Sequence, residues 1–215
     1  MWNDAIWYER SDATQNYAVE DGKLKIWPQR NAEGRFVNRT IDTDGKYYQT
    51  YGYFEMDAKL PKGRGLWPAF WLFNHDRSDR PEIDIMEAYS GGGYSSWWSD
   101  AALNPINYGM TLWADNPRGV MLGETKLRDH SPWQGGVRLD EGFHKYGALV
   151  EPDGVTFFFD GRQVGNKMRT NFFDMRMYII LDLWFGSASG QPDSTTPTGK
   201  NNSFEINYVR AWQRI

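Results

Sequence analysis

The sequence predicts an all-β fold, a sandwich of two antiparallel sheets, and three observations carry that reading. Apolar residues recur with period two rather than 3.6. Turn residues punctuate the chain at short intervals. No window of the 215 residues shows the apolar stripe of a long amphipathic helix. A sandwich of this length is commonly one domain, so residues 1–215 are expected to form a single domain with a sizeable core.

The elements follow in order. Glycines sit in turn contexts at Asp21-Gly22, Glu33-Gly34, Asp44-Gly45 and Gly63-Arg64-Gly65. From Tyr53 onward one face reads Tyr53, Glu55, Asp57, Lys59 and the other Phe54, Met56, Ala58, Leu60, the alternation of a half-buried strand. Trp67 and Trp71 lie an even number of residues apart, although Pro68 between them interrupts the parity argument. Pro81 to Ala88 forms a strand rich in acids. Val155 to Phe159 is set between the turn residues Pro152-Asp153-Gly154 and Asp160-Gly161. Met177 to Phe185 is a longer apolar run broken by Asp182, and Phe204, Ile206 and Tyr208 alternate with Glu205 and Asn207. Gly91 to Asn107 and Gly186 to Asn202 read as long surface loops, a length usually kept for function or mobility.

Composition narrows the functional classes. With 24 basic and 28 acidic residues the net charge is -4, which argues against binding nucleic acid, since phosphate recognition needs clustered positive charge. Cysteine is absent, excluding a disulfide scaffold and thiolate zinc sites. No run of about 18 apolar residues spans a membrane, and the start, Met1-Trp2-Asn3-Asp4, lacks the basic and apolar regions of a signal peptide. Aromatics are the outlying quantity: 11 Trp, 12 Tyr and 12 Phe make up 16% of the chain. Trp and Tyr carry polar tips that seek a partner or a wet edge, so this many of them suggest a surface that stacks on flat ligands. With bases disfavoured by charge, sugars remain.

The segment Pro81-Glu82-Ile83-Asp84-Ile85-Met86-Glu87-Ala88 carries the chemistry. On a regular strand Glu82 and Asp84 share one face, while parity sends Glu87 to the isoleucine face. A carboxylate there pays a large desolvation cost. One extra residue near Ile85 and Met86, taken up as a β-bulge, returns Glu87 to the face of the other acids. Three like charges on one strand face are poor for stability, which points to function. Retaining glycoside hydrolysis wants two carboxyl groups about 5–5.5 Å apart, one to attack the anomeric carbon and one to protonate the leaving oxygen. A third acid between them holds a shared proton and pushes their pKa values apart. The bland alternative, a solvated acidic edge strand, fits poorly with the intervening isoleucines and the aromatic segment before them.

The runs Tyr51-Gly52-Tyr53-Phe54-Glu55, Leu60-Pro61-Lys62-Gly63, Leu66-Trp67-Pro68-Ala69-Phe70-Trp71-Leu72 and Glu82-Ile83-Asp84-Ile85-Met86-Glu87 together resemble family 16 glycoside hydrolases. The likeness resumes at Phe143-His144-Lys145-Tyr146, at Pro152-Asp153-Gly154, at Tyr178 to Leu183 and at Tyr208-Val209-Arg210, so it covers most of the chain in order. It implies a jelly-roll sandwich with a concave polysaccharide-binding cleft. It also implies a nucleophile at Glu82, an assisting acid at Asp84 and a general acid/base at Glu87. The bulged spacing is similar to that of the laminarinase, agarase and carrageenase branches.

Substrate contacts are expected from Trp67, Trp71, Trp113, Asp182, Trp184 and His144. Asp182 and Trp184 share a parity opposite Leu181 and Leu183, and an acid beside a Trp on a central strand is tolerable where that face is a cleft. For His144 a structural role competes with substrate contact, and Trp97 and Trp98 read equally as a sugar platform or a loop anchor. The expected activity is an endo-acting, retaining cleavage of internal β-linkages in a polysaccharide, foremost a β-1,3-containing glucan.

Departures from the family pattern fall on expected cleft strands. Residues 74–80 lack a Trp, 107–113 lack histidines, Leu149-Val150 replaces a Glu-Trp pair, and Asp182 stands where Asn is usual. They leave room for an endo-glycanase of a bacterial exopolysaccharide or a galactan, and a non-catalytic lectin on the same scaffold is the rival from another class. No cofactor is required. Many family members hold a structural calcium with acids near the termini, but Asn207 stands at one such position, and neither Asp42-Thr43-Asp44-Gly45 nor the isolated His75 and His130 has metal-site spacing, so no metal ligands are assigned. The chain is expected to be a monomer, and secreted or periplasmic, because such polymers lie outside the cell.

Overall fold

The computed structural model describes residues 1–4, 12–76, 81–90, 108–114, 124–126, 137–170, 175–186 and 189–213. Trp97, Trp98 and His130 lie outside them. Two antiparallel sheets account for almost all of the regular structure. The first runs in the order β1 (Tyr17–Glu20), β2 (Lys23–Ile26), β13 (Phe204–Trp212), β4 (Gly52–Lys59), β9 (His144–Glu151), β10 (Gly154–Phe159), β11 (Arg162–Arg169). The second runs β3 (Arg39–Asp42), β12 (Met177–Phe185), β5 (Leu66–Asn74), β6 (Glu82–Ala88), β7 (Tyr108–Trp113), β8 (Glu124–Lys126). This is the predicted sandwich, and among the described residues helical structure is confined to short 3-10 turns, at Ser189 and at Lys200–Asn202.

Alternation decides what lies between the sheets. Phe54, Met56 and Ala58 of β4, with Tyr146, Ala148 and Val150 of β9, meet Phe70 and Leu72 of β5 and Ile179, Leu181 and Leu183 of β12 in one buried cluster. The opposite face of the six-stranded sheet is not simply polar. Ala69, Trp71 and Phe73 of β5 pack with Tyr178 and Ile180 of β12 into a second apolar cluster. A sheet with apolar material on both faces has one face for the core and one for something else. Pro68 does not disturb this pattern: it sits opposite Leu183, just past the last β5–β6 pair, so Trp67, Ala69 and Trp71 keep one face.

One strand reading needs correction. Tyr208 does not share the core face of Phe204 and Ile206, because a bulge at Asn207 shifts the β13–β4 register between Ile206 and Tyr208. Val209 and Ala211 pack on the core instead. Tyr208 turns outward and donates to Glu55 Oε1 at 2.7 Å. The Asn207 amide donates to Asp57 Oδ2 at 2.8 Å.

Candidate active site

The β6 strand carries the bulge that desolvation demanded. Against β5, Met86 pairs with Phe70 and Asp84 with Trp71, so Ile85 has no partner of its own. Against β7, Asp84 pairs with Thr111 and Glu87 with Gly109, again one residue extra on β6. Ile83, Ile85, Met86 and Ala88 all join the core, and Glu82, Asp84 and Glu87 line a cavity of about 250 Å³ on the other face. Two consecutive apolar residues enter the core so that the third acid need not.

The sheet register places the rest of the wall. Glu87, Ala69 and Asp182 form one row across β6, β5 and β12. Two strand spacings separate the outer members, roughly 9.6 Å between backbones, and the methyl of Ala69 keeps the space between the carboxyls open. Trp67 lies opposite Trp184 on the adjacent row of the same face, and their rings meet edge-on at 5.7 Å. Trp71 stands on the next row beside Asp84. Glu82, Asp84, Glu87, Asp182, Trp67, Trp71 and Trp184 thus converge as expected.

Indole N–H groups hold the acids. Trp67 Nε1 and the Tyr89 hydroxyl both donate to Glu87 Oε1, at 3.1 and 3.2 Å. Trp113 Nε1 donates to Asp84 Oδ2 at 2.9 Å, and Trp71 Nε1 to Asp182 Oδ2 at 3.1 Å. Trp184 Nε1 donates to Thr40 Oγ1 at 3.1 Å. Burial pushes the Asp84 carboxyl well above the usual carboxylate range, and the charges of Glu87 and Glu82 push it the same way against the pull of Trp113. Burial does the same to Asp182, opposed by the Trp71 donor and helped by Glu87 and Glu82. Both groups favour the protonated form.

Two candidates act differently from expectation. Trp113 is absent from the cavity lining and serves Asp84 instead. Trp113→Phe leaves a smaller aromatic ring and deletes the donor; a hydrogen bond to a neutral carboxyl is worth about 0.5–1.5 kcal/mol, so kcat/KM should fall roughly two- to tenfold. His144 is on β9, in the other sheet, and does not reach the cleft. Its Nδ1 lies 2.9 Å from Asp160 Oδ2 and its ring stacks on Phe159 at 5.2 Å, so it pins the β10–β11 turn to β9. Sequence reading missed Tyr89, which shares the parity of Glu87, and Thr40 and Ala69, whose parts depend on pairing between distant strands.

A two-sheet sandwich whose outer concave wall carries clustered carboxyls under tryptophans defines a carbohydrate-active protein of the jelly-roll class. Residues 5–210 match the family described as Glycosyl hydrolases family 16, and the chain belongs to that family. Endo-1,3-1,4-beta-glycanase ExsH of Rhizobium meliloti (strain 1021) is 27% identical over 95% of this chain, which spans 41% of that protein's length. A glucan endo-1,3-beta-glucosidase of Cryptopygus antarcticus is 30% identical over 92% of the chain and 77% of its own length. Among solved structures, SCLam, a non-specific endo-beta-1,3(4)-glucanase, superposes with a TM-score of 0.75 at 23% identity, covering 99% of this chain and 84% of that one. The laminarinase from Flavobacterium sp. UMI-01 gives 0.73 at 24% identity over 99% of this chain and 93% of that one.

Proposed function

We propose that residues 1–215 are the catalytic domain of an endo-acting, retaining glycoside hydrolase that cuts internal β-linkages of a polysaccharide, foremost a β-1,3-containing glucan. The observation that carries this is the β6 bulge, which commits Ile85 and Met86 to the core and sets Glu82, Asp84 and Glu87 on one cavity wall. Relatives named as glucan endo-1,3-beta-glucosidase and endo-1,3-1,4-beta-glycanase support the substrate class.

Glu82 attacks C1 of the bound sugar while Glu87 passes its proton to the departing glycosidic oxygen; the C1–O bond breaks and a glycosyl ester on Glu82 forms. Glu87, now a carboxylate, takes a proton from water, and the resulting oxygen nucleophile displaces Glu82 from C1. Trp67 and Tyr89, both on Oε1, hold the Glu87 carboxyl in one orientation through both half-reactions. Asp84, buried beside the two and favouring its proton, adds no third negative charge to the reacting pair. Trp67 and Trp184 offer faces for sugar rings.

The reading calls on no cofactor. Asn207, where family members carry an acid near the calcium, turns its amide N–H to Asp57, which supports a reading without calcium. We place the protein outside the cell, secreted or periplasmic, where such polymers lie, and acting as a monomer. Incubation with laminarin, mixed-linkage β-glucan, agar and carrageenan, followed by product sizing, tests the proposal. Internal cuts in laminarin or mixed-linkage glucan are expected, whereas affinity for a glycan with no new reducing ends would replace the reading by a lectin.

A further inference from the structure

Beside the acid-lined cavity lies a second, more open groove of about 530 Å³. Trp67 and Trp184 border both spaces, so they are contiguous. Their charges are opposite. The ionisable side chains lining the cavity are all acids, and those lining the groove are Arg30 and Arg35.

Arg30 is held in place by hydrogen bonds to uncharged acceptors rather than by a salt bridge. Its guanidinium lies 4.0 Å from the centre of the Phe36 ring, which in turn stacks on Phe185 at 4.7 Å. Its Nη1 and Nη2 donate to the carbonyl oxygens of Gly34 and Asp193, at 2.6 and 2.8 Å. These acceptors are uncharged, so they orient the cation and leave its charge facing the groove. Arg30 hydrogen-bonds only the backbone carbonyl of Asp193; the Asp193 carboxylate accepts from Thr195, lies 3.6 Å from Arg64 Nε and feels the charge of Arg64 more strongly than that of Arg30. Arg39 shows the contrast, since it is buried and the carboxylate of Asp4 sits 2.7 Å from its Nη1. Arg35 is largely exposed, with Glu33 at 3.9 Å as its loose partner.

We infer that this groove is a subsite for a sugar unit bearing an anionic substituent, carboxylate or sulfate, gripped by Arg30 and Arg35 beside the Trp67–Trp184 wall. The inference rests on the glycan-cleaving reading and adds to it a preference for chains that carry acidic groups. The charge layout supplies the reason. An anion in the acid-lined cavity is repelled by whichever of its carboxyls are ionised, whereas one sugar or more along the chain it meets a fixed planar fork suited to oxyanions. Phe36 and Phe185 keep that fork partly out of water, where its attraction is less screened.

Binding is measured with the Glu82→Gln variant on laminarin, carboxymethylated laminarin and sulfated laminarin, at low and high salt. One charge-assisted contact of about 1.4 kcal/mol corresponds to tenfold, so at low salt at least one anionic polymer should bind about tenfold tighter than the neutral one. That ratio should fall toward one in high salt, and in Arg35→Gln or Arg30→Lys placed on the same background. Arg35 is exposed, so its variant tests the idea even where changing Arg30 disturbs the loop. Carboxymethyl and sulfate arms separate the two anion types. Equal binding of all three polymers, including no binding of any, overturns the subsite, and so does a preference that survives both arginine variants. Product formation by the unmodified protein is scored separately: no new reducing ends from any polymer would sink the hydrolytic reading while leaving the binding comparison intact.

Discussion

Glu87→Gln should lower kcat on an unactivated polysaccharide by about 10²–10⁴-fold, the range that general acid–base catalysis supplies. Glu82→Gln should remove turnover altogether, because the bond to C1 has no other partner of the right kind. Both variants should fold, since Glu82 and Glu87 are half-exposed at the cavity and contribute nothing to the core on the far face of β6. The two roles are separable by added azide with an activated aryl glycoside. In Glu87→Gln the ester on Glu82 still forms, and azide displaces it to give a product with the starting β-configuration. With Glu82→Ala, azide takes the place of the nucleophile and the product is inverted. Wild-type turnover by either glutamine variant, or the same azide product from both, would end the assignment.

How much of this was legible in the sequence depended on whether an error would have been costly. The bulge at Ile85 and Met86 could be placed because the alternative buried the Glu87 carboxylate among isoleucines, a penalty large enough to exclude. The bulge at Asn207 could not, because either parity of Tyr208 is tolerable: a tyrosine fits a core or an outer face equally well. Asp182 betrayed its face in the same way as Glu87, as an acid inside an apolar strand. Trp67 and Trp71 were ambiguous through Pro68, and only the β12 register settles them. His144 misled because its partner, Asp160, is 16 residues away across a turn and no local pattern couples them. The indole donors are the least readable layer. Trp113 faces Asp84 from a neighbouring strand, and which acid an indole reaches depends on cross-strand offset rather than on spacing along the chain.

Asp84 and Asp182 make the stability of the protein depend on pH in an unusual direction. Both carboxyls are raised in the folded state by burial and by the charges of Glu82 and Glu87, whereas in the unfolded chain they titrate near the ordinary Asp value of about 3.9. The folded state therefore holds these protons more tightly. Their contribution is fully present below the unfolded pKa and is lost as pH rises through the raised folded values. Asp182→Asn keeps the shape and removes the titration. Among the described residues the groups packed around Asp182 are the acids of β6, the uncharged Ala69 and Trp71 of β5 and Thr40 of β3, and none of these is a cation that would compensate the loss of its proton. The variant should melt higher than the parent at pH 7–8, by about 2–4 °C for each kcal/mol relieved in a chain of this size, and the gap should close below about pH 4. Asp84→Asn should show the same stability trend with an opposite functional result, a fall in kcat of about tenfold or more, because Asp84 lies between the two reacting carboxyls and its proton is part of their exchange. Asp182→Asn should keep most activity and extend it to higher pH. A melting difference that stays constant from pH 4 to pH 8 would show that neither carboxyl holds its proton in the folded protein.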